Sequence, residues 1–509
     1  MKLINFSDSI IEMTIPQEVK NIITKLQDTG FEAYIVGGCV RDFLMDKEPA
    51  DWDVTTNAKP EEIQKVFPDS FYENNFLTVG VKTDIGIIEV TTYRLEAEYS
   101  DKRHPDKVQY AKTLEEDLSR RDFTVNAMAF DPEVWNMKHE AQKSKSFKFQ
   151  VSSFKIVDPF GGQEDLKNKI IRTVGDANER FGEDALRMLR AVRFATTLGF
   201  KIEEKTAEAI KKNSVWIEAV SKERIRDELV KIIAAGNPAD GMELLRELGL
   251  LKVILPELEA NVGIGQNKHH IYDCYTHALK ALEFTAKKKY SLNVRLAALF
   301  HDIAKPKVKV GDGINSTFYA HEIVGAKMAF QILNRLKFSN KDIQGVVNLV
   351  RHHMFYYNTD QVTESAVRRL VKKVGPENMT ELLQLREADR IGSGVPKAEP
   401  YKLRHLKYII EKVAKDPISV KMLKINGEDL MGLLGIKPGP KIGQILDVLL
   451  GHVLDDPKKN TKDFLEKEAK MLAVLSDAEL KSLAEKSKEE KEEVQSKEDS
   501  VVKNKYWVK

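Results

Sequence analysis

From about residue 163 to about residue 475, helical spacing of apolar residues dominates; before residue 163 strands and helices are mixed. Leu186, Leu189, Ala191, Val192 and Phe194 form one such run, and Ile225, Leu229, Ile232 and Ile233 another. The first 130 or so residues read differently. Phe31 to Ile35 leads into Val36-Gly37-Gly38 as a short strand ending in a glycine turn, and Asp51 to Thr55 is a second strand-like stretch. Thr78–Lys82 and Gly86–Thr92 form a third pair, joined by a hairpin turn around Lys82-Thr83-Asp84-Ile85-Gly86. The chain therefore reads as an α+β protein, with a mixed N-terminal part followed by helices. Breaks fall at Gly199, Gly236 to Pro238, Pro256, Gly263 to Gly265, Gly392 to Pro396 and Pro438 to Pro440. From about Glu485 the chain is Lys, Glu and Ser with few apolar positions, as in a disordered tail or a solvated helix. No internal repeat is visible.

The chain has 509 residues, 42% of them apolar, which allows several domains with sizeable cores. Eighty Lys and Arg against 78 Asp and Glu give a net charge of +2. A uniformly basic nucleic-acid binder is excluded; a local basic surface is not. The two cysteines, Cys39 and Cys274, cannot build a disulfide scaffold or a four-cysteine zinc site, which fits a reducing compartment. No apolar run is long enough for a membrane span, and the N-terminal stretch, interrupted by Asp8 and Glu12, lacks the apolar core of a signal peptide. The expected location is cytoplasmic.

Four segments carry the chemistry. In Gly37-Gly38-Cys39-Val40-Arg41-Asp42, paired glycines after a strand let backbone N–H groups approach a phosphate that Arg41 can clamp; a plain tight turn reads equally from the same residues. In Asp51-Trp52-Asp53, strand alternation would aim both carboxylates to one face, where Mg²⁺ offsets their repulsion and supports two-metal phosphoryl transfer. Glu89, on a later strand, can add a third carboxylate or simply face solvent. Arg121, in Arg120-Arg121-Asp122-Phe123-Thr124-Val125-Asn126, can hold a phosphate at a helix entry or make a surface ion pair. In the fourth segment, Asp184, Arg187 and Arg190 step by three along a helix, with Arg193 nearly opposite Asp184. Asp accepts from a base amino group and Arg donates to ring nitrogens or a carbonyl, so such a ridge can read a base without a template. An intrahelical Asp184–Arg187 salt bridge is the alternative.

Taken together and in this order, the four segments resemble the class II tRNA nucleotidyltransferase and bacterial poly(A) polymerase family over Gly37 to about Phe200. The resemblance implies a small antiparallel-sheet head followed by all-helical neck, body and tail. It implies Mg²⁺ on Asp51 and Asp53, with contacts to the nucleotide triphosphate from Gly38, Arg41 and Arg121. It assigns base reading to Asp184 and Arg187, with Arg190 and Arg193 nearby, and makes tRNA, CTP and ATP the partners. The polar segment Tyr93 to Pro105 stands where CC-only members lack a mobile loop, so A addition is expected. The mixed Lys and Glu C-terminal end, unlike an Arg-rich one, favours tRNA over poly(A) as product. A-only addition and poly(A) synthesis remain the alternatives. Leu423–Leu430 and Pro438–Gly443 look like the family tail that holds the tRNA elbow.

A second series comprises His277, His301-Asp302, His321, His352-His353 and Asp389. Imidazole and carboxylate together suit Mn²⁺, Fe, Ni²⁺ or Zn²⁺, whereas scattered surface histidines would mean nothing. The series resembles the HD phosphohydrolase domain. That resemblance makes His277, His301, Asp302 and Asp389 first-metal ligands, with His321 and one of His352 and His353 allowing a second metal. A phosphodiesterase or phosphatase activity follows as an expectation; an HD phosphohydrolase whose head only binds RNA is the rival reading. The expected domains are a head at 20–162, neck and body at 163–268, an HD domain at 269–395, a tail at 400–475 and a charged, disordered end at 476–509.

Overall fold

Strands form in the first 160 residues where β-branched and aromatic residues alternate with polar ones. In this computed structural model, residues 15–73, 77–97, 107–131, 155–267, 271–359, 361–414 and 420–508 are described. The N-terminal segment expected not to be a signal peptide lies outside them. The strands are β1 (Ala33–Val36), β2 (Asp53–Thr56), β3 (Ser70–Glu73), β4 (Thr78–Thr83), β5 (Gly86–Thr92), β6 (Arg94–Ala97), β7 (Lys107–Tyr110), β8 (Ala129–Asp131) and β9 (Lys155–Val157). Seven of them form one sheet in the order β3-β4-β5-β2-β1-β8-β9. Its pairings are antiparallel except β2 with β5, which run parallel with Asp53 opposite Glu89 and Thr55 opposite Thr91. The expected hairpin joins β4 to β5, with Thr83 opposite Gly86. Ile88 and Val90 of β5 enter the core with Val54 and Val79, which leaves Glu89 on the other face.

Two sequence expectations need correction here. The strand at the Asp-x-Asp pair begins only at Asp53; Asp51 precedes it on an exposed bend. The segment after Tyr93 is not loop throughout, because β6 and β7 pair as a separate ribbon, Arg94 opposite Tyr110 and Ala97 opposite Lys107. The rest of the expected mobile loop, residues 98–105, lies outside the described residues.

The helical spacing becomes real helices. Leu186–Leu198 buries Met188, Leu189, Ala191 and Val192 completely. Lys222–Ala234 packs against it through Ile225, Leu229, Ile232 and Ile233. The chain divides into two compact units, residues 1–353 with 384–395, and residues 354–383 with 396–509. The boundary expected between 395 and 400 is thus interrupted, because 354–383 pack with the C-terminal part.

In the second unit the charged end is a helix, Asp477–Lys505, and not a disordered tail. Ser476 opens it with a capping box to Glu479. Its few apolar residues decide the matter: Leu480 and Ala484 join one core with Ile445 and Leu449, while Val502 joins a second with Leu406 and Tyr408. Gly451 lets Ser487 approach, since a Cβ there would lie 2.7 Å from the Ser487 hydroxyl. Among the described residues no helix is long and apolar enough to cross a membrane.

Candidate functional site

The parallel β2–β5 register sets the centre of the first site. Asp53 and Glu89 are neighbours on one face, and the next pair on that face is Thr55 and Thr91. Asp53, Glu89 and Thr91 line a cleft of about 540 Å³ whose wall also carries Arg94, Arg120, Arg121, Asp122, Asp184, Arg187, Arg190 and Arg224. Burial raises the Asp53 carboxyl above its ordinary value, Arg121 pulls it down, and Asp51 pushes it up again. The two aspartates therefore feel each other although only Asp53 lies in the strand. Two close carboxylates, one half-buried and one exposed, are the oxygen donors a hard divalent cation prefers, so the residues fit such an ion.

Gly37 holds the turn above them. Its φ is +85°, and a Cβ would stand 2.7 Å from Arg121 Nη1 and 3.6 Å from Asp53 Oδ2. The required glycine is thus Gly37, for backbone and space together. At Gly38, the position expected to matter, a Cβ would make only ordinary contact with Arg41. Arg41 itself is buried away from the cleft lining. It donates to Asp42 at 2.7 Å and to Asn126 Oδ1 at 2.7 Å, and lies over the Phe194 ring. These contacts tie the glycine turn to the Thr124–Asn126 turn.

Arg121 stands beside the Gly37 turn. Asp117, buried in the helix Leu114–Ser119, anchors it at 3.9 Å and holds Arg120 at 2.9 Å. Among the described residues the buried Arg121 Nε–H has no hydrogen-bond partner. Sequence reading missed Asp117; its only signal is a carboxylate one helical turn before the Arg-Arg pair.

The Asp184 ridge needs a second correction. Asp184 is extended, with φ −140°, at the break between helices Ala177–Glu183 and Leu186–Leu198. The salt bridge with Arg187 does not form. Asp184 instead accepts from the Leu186 N–H at 3.0 Å and from Arg224 Nη2 at 2.7 Å. Arg187 pairs with Glu183 and donates to the backbone carbonyls of Arg180 and Arg120 at 3.3 and 3.1 Å. Arg190 holds Asp122 at 2.7 Å. Burial would raise the Asp122 carboxyl, but Arg190 overcomes it and brings it down to about 2. Arg193 faces elsewhere, stacked on Phe194 at 3.4 Å and bonded to Glu228 at 3.0 Å. Arg224, from helix Lys222–Ala234, is a cleft residue that no motif spacing announced.

The second site gathers His277, His301, Asp302, His321, His353 and Asp389, all buried. The structure places the two histidines of the undecided pair differently. His353 Nε2 lies 3.2 Å from His321 Nε2, whereas His352 bonds to Asn348. The six fall into two groups, His277 with His301 and Asp389, and Asp302 with His321 and His353. Asp302 joins them: its Oδ2 lies 3.2 and 3.3 Å from His277 and His301, its Oδ1 3.3 Å from His321. His301, His321 and His353 each turn Nδ1 to a backbone carbonyl, at 2.9, 2.8 and 2.7 Å. That fixes the rings with Nε2 inward, as metal-ligating imidazoles are held. Burial lowers the His353 imidazole to about 3, its neutral form. Burial also disfavours charge on His301, yet Asp302 outweighs this and raises it to about 10. Two buried carboxylates thus demand positive charge, and the donor set fits one or two divalent transition metals.

Residues 33–172 match the poly A polymerase head domain family. Residues 199–261 match the family described as "Probable RNA and SrmB- binding site of polymerase A", and residues 317–469 match tRNA nucleotidyltransferase domain 2. The chain is 34% identical over 474 residues to the CCA-adding enzyme of Ligilactobacillus salivarius (strain UCC118), covering 90% of this chain and 99% of that protein. To the A-adding tRNA nucleotidyltransferase of Deinococcus radiodurans it is 32% identical over 437 residues, covering 82% and 90%. The solved structure of the Bacillus stearothermophilus CCA-adding enzyme in complex with CTP is similar at a TM-score of 0.55 and 27% identity, over 89% of this chain and 96% of that one.

Proposed function

We propose, from the premise that this chain belongs to the tRNA nucleotidyltransferase family of the CCA-adding enzymes, that it adds or repairs the 3′-terminal CCA of tRNA from CTP and ATP without a template. The observation that carries this reading is the cleft in which Asp53 and Glu89 face a wall of arginines. The tRNA 3′-hydroxyl attacks the α-phosphate, the new phosphodiester forms, and pyrophosphate leaves. Asp51 and Asp53 would hold a divalent cation, Mg²⁺ by the hardness of the oxygen donors, and Glu89 could add a third carboxylate. A cation held there would supply charge neutralisation for the displacement. Arg121 meets the triphosphate with its orphan N–H, and Arg120 and Arg94 add positive potential around it. Asp184 and Arg187 read the base edge. Both are already hydrogen-bonded to protein partners, so choosing C or A means exchanging some of those bonds.

Extension of tRNA lacking CCA, one nucleotide at a time, tests the reading. CTP must be incorporated twice and ATP once. Incorporation of ATP alone, on CC-ending substrate only, would make the chain an A-adding enzyme; continued ATP incorporation would make it a poly(A) polymerase.

A second reading concerns the histidine cluster, where the Asp302 carboxylate spans both ligand groups. Such a centre supports metal-dependent hydrolysis of phosphate esters, for example a 2′,3′-cyclic phosphate end. If His301→Ala/Asp302→Ala loses bound metal while hydrolysis continues unchanged, this second activity is rejected.

A further inference from the structure

Strand pairing sets four residues in one row across the head sheet. Phe71 of β3 lies opposite Gly80 of β4, Gly80 opposite Glu89 of β5, and Glu89 opposite Asp53 of β2. Residues directly opposite share a face, so the row lies on the cleft side of the sheet. The alternate residues lie below it: Val54, Val79 and Val90 are in the core, with Tyr72 packed against it. Gly80 has no side chain, and the Phe71 ring takes the space. A Cβ at Gly80 would stand 2.4 Å from Phe71 Cζ and 2.7 and 2.9 Å from its two Cε atoms. The ring therefore lies down on β4, about 5 Å from the strand that carries Glu89.

Covering a bare glycine accounts for the inner face of the ring alone. Phe71 is still 36% exposed, on a strand at the sheet edge. Lys82 and Ile87, opposite each other on the same face, are exposed as well. The two sides of the carboxylates also differ. Arg121 lies on the β1 side of Asp53, against the Gly37 turn, whereas Phe71 lies on the other side, beyond Glu89. In phosphoryl transfer the attacking and leaving oxygens stand roughly in line, on opposite sides of the phosphorus. A triphosphate drawn to Arg121 thus leaves the Phe71 side to the attacking RNA end. A nucleobase is the part of that end that suits an exposed aromatic ring, and Lys82 offers positive charge to its phosphate.

Resting on the nucleotide-transfer reading of the cleft, we infer that Phe71 is the stacking platform for the 3′-terminal base of the RNA substrate, with Gly80 letting its ring lie flat. Stacking on a π face tolerates any base, as an enzyme that extends a succession of different ends requires.

The test is extension of tRNA lacking CCA by the full chain, with KM read separately for tRNA and for CTP, and each variant checked for the wild type's thermal transition. Phe71→Leu keeps an apolar cover on Gly80 and removes the π face. Its KM for tRNA is expected to rise about tenfold with KM for CTP unchanged. Phe71→Trp should keep the wild-type values, and Gly80→Ala, whose methyl displaces the ring, should share the loss. A tRNA whose 3′-terminal nucleotide is abasic should cost the wild type a similar factor and cost Phe71→Leu little more, since both changes remove one contact. An unchanged KM for tRNA in Phe71→Leu would overturn the inference. So would an equal rise for tRNA and CTP, or abasic and Leu effects that simply multiply, because the ring would then only cover Gly80. Should Phe71→Leu unfold, the abasic tRNA still decides on the wild type alone, where no loss overturns the inference. A wild-type chain that extends no tRNA would overturn the underlying reading, and the inference with it, on a separate measurement.

Discussion

Asp184 owes its place to Arg224 more than to the helix that follows it. The Arg224 guanidinium reaches it at 2.7 Å from another helix, so the carboxylate proposed to read the base is aimed by a residue that need not touch the base. Arg224→Ala should therefore raise KM for CTP and ATP about tenfold and relax selection against UTP and GTP, read by single-nucleotide kinetics on tRNA. On an Asp184→Ala background the same change should add little, since the two residues act through one contact. Asp122 gives a residue-scale prediction for pH. Burial works against its charge, but Arg190 wins and holds its carboxyl at about 2. A depressed carboxyl contributes stability that is fully present above about pH 4 and is lost as pH falls towards 2, on the order of 2 kcal/mol. Arg190→Met removes the partner, so acid unfolding should begin at a higher pH than in the wild type. An unchanged acid limb would contradict this.

The elements show what spacing could and could not reveal. Ile88 and Val90 face away from Glu89, as strand alternation requires, but the parallel pairing of β5 with β2 is a tertiary choice that no local pattern contains. The helix carrying Arg187 and Arg190 was legible from its apolar stripe, yet its start was not. Asp184 breaks the helix by accepting the Leu186 N–H, the behaviour of a short polar side chain competing for backbone donors. His352 and His353 could not be told apart in sequence, because the choice depends on where helix Asn340–His352 ends. His353, just past that end, turns inward, while His352 bonds back to Asn348. His353→Ala should thus lower the bound transition metal per chain, and His352→Ala should not, as measured by metal analysis after dialysis. In the second unit, composition left a disordered tail and a solvated helix both open at the C-terminal end, because charge hides how few apolar residues suffice. Leu480 is fully buried there, and Leu480→Ala should cost about 2–5 kcal/mol in the unfolding of that unit. A denaturant midpoint equal to the wild type's would contradict that packing.

At the scale of the whole molecule, two centres occupy the first unit and draw on different residues. The head uses carboxylates and arginines, the donors suited to Mg²⁺ and a triphosphate; the helical part uses imidazoles with bridging carboxylate, the donors suited to transition metals. The head motifs were legible because each falls within a few consecutive residues. Asp117 and Arg224 were not, because each acts across a gap in the chain. The central claim is that acidic side chains at the mouth of β2 enable nucleotide transfer to an RNA end. It is tested most directly by single-turnover CTP incorporation into tRNA lacking CCA, comparing the wild type with Asp51→Ala/Asp53→Ala. The expected result is loss of incorporation by at least a thousandfold, about 4 kcal/mol of transition-state stabilisation, with tRNA still bound. Incorporation at the wild-type rate would contradict the account.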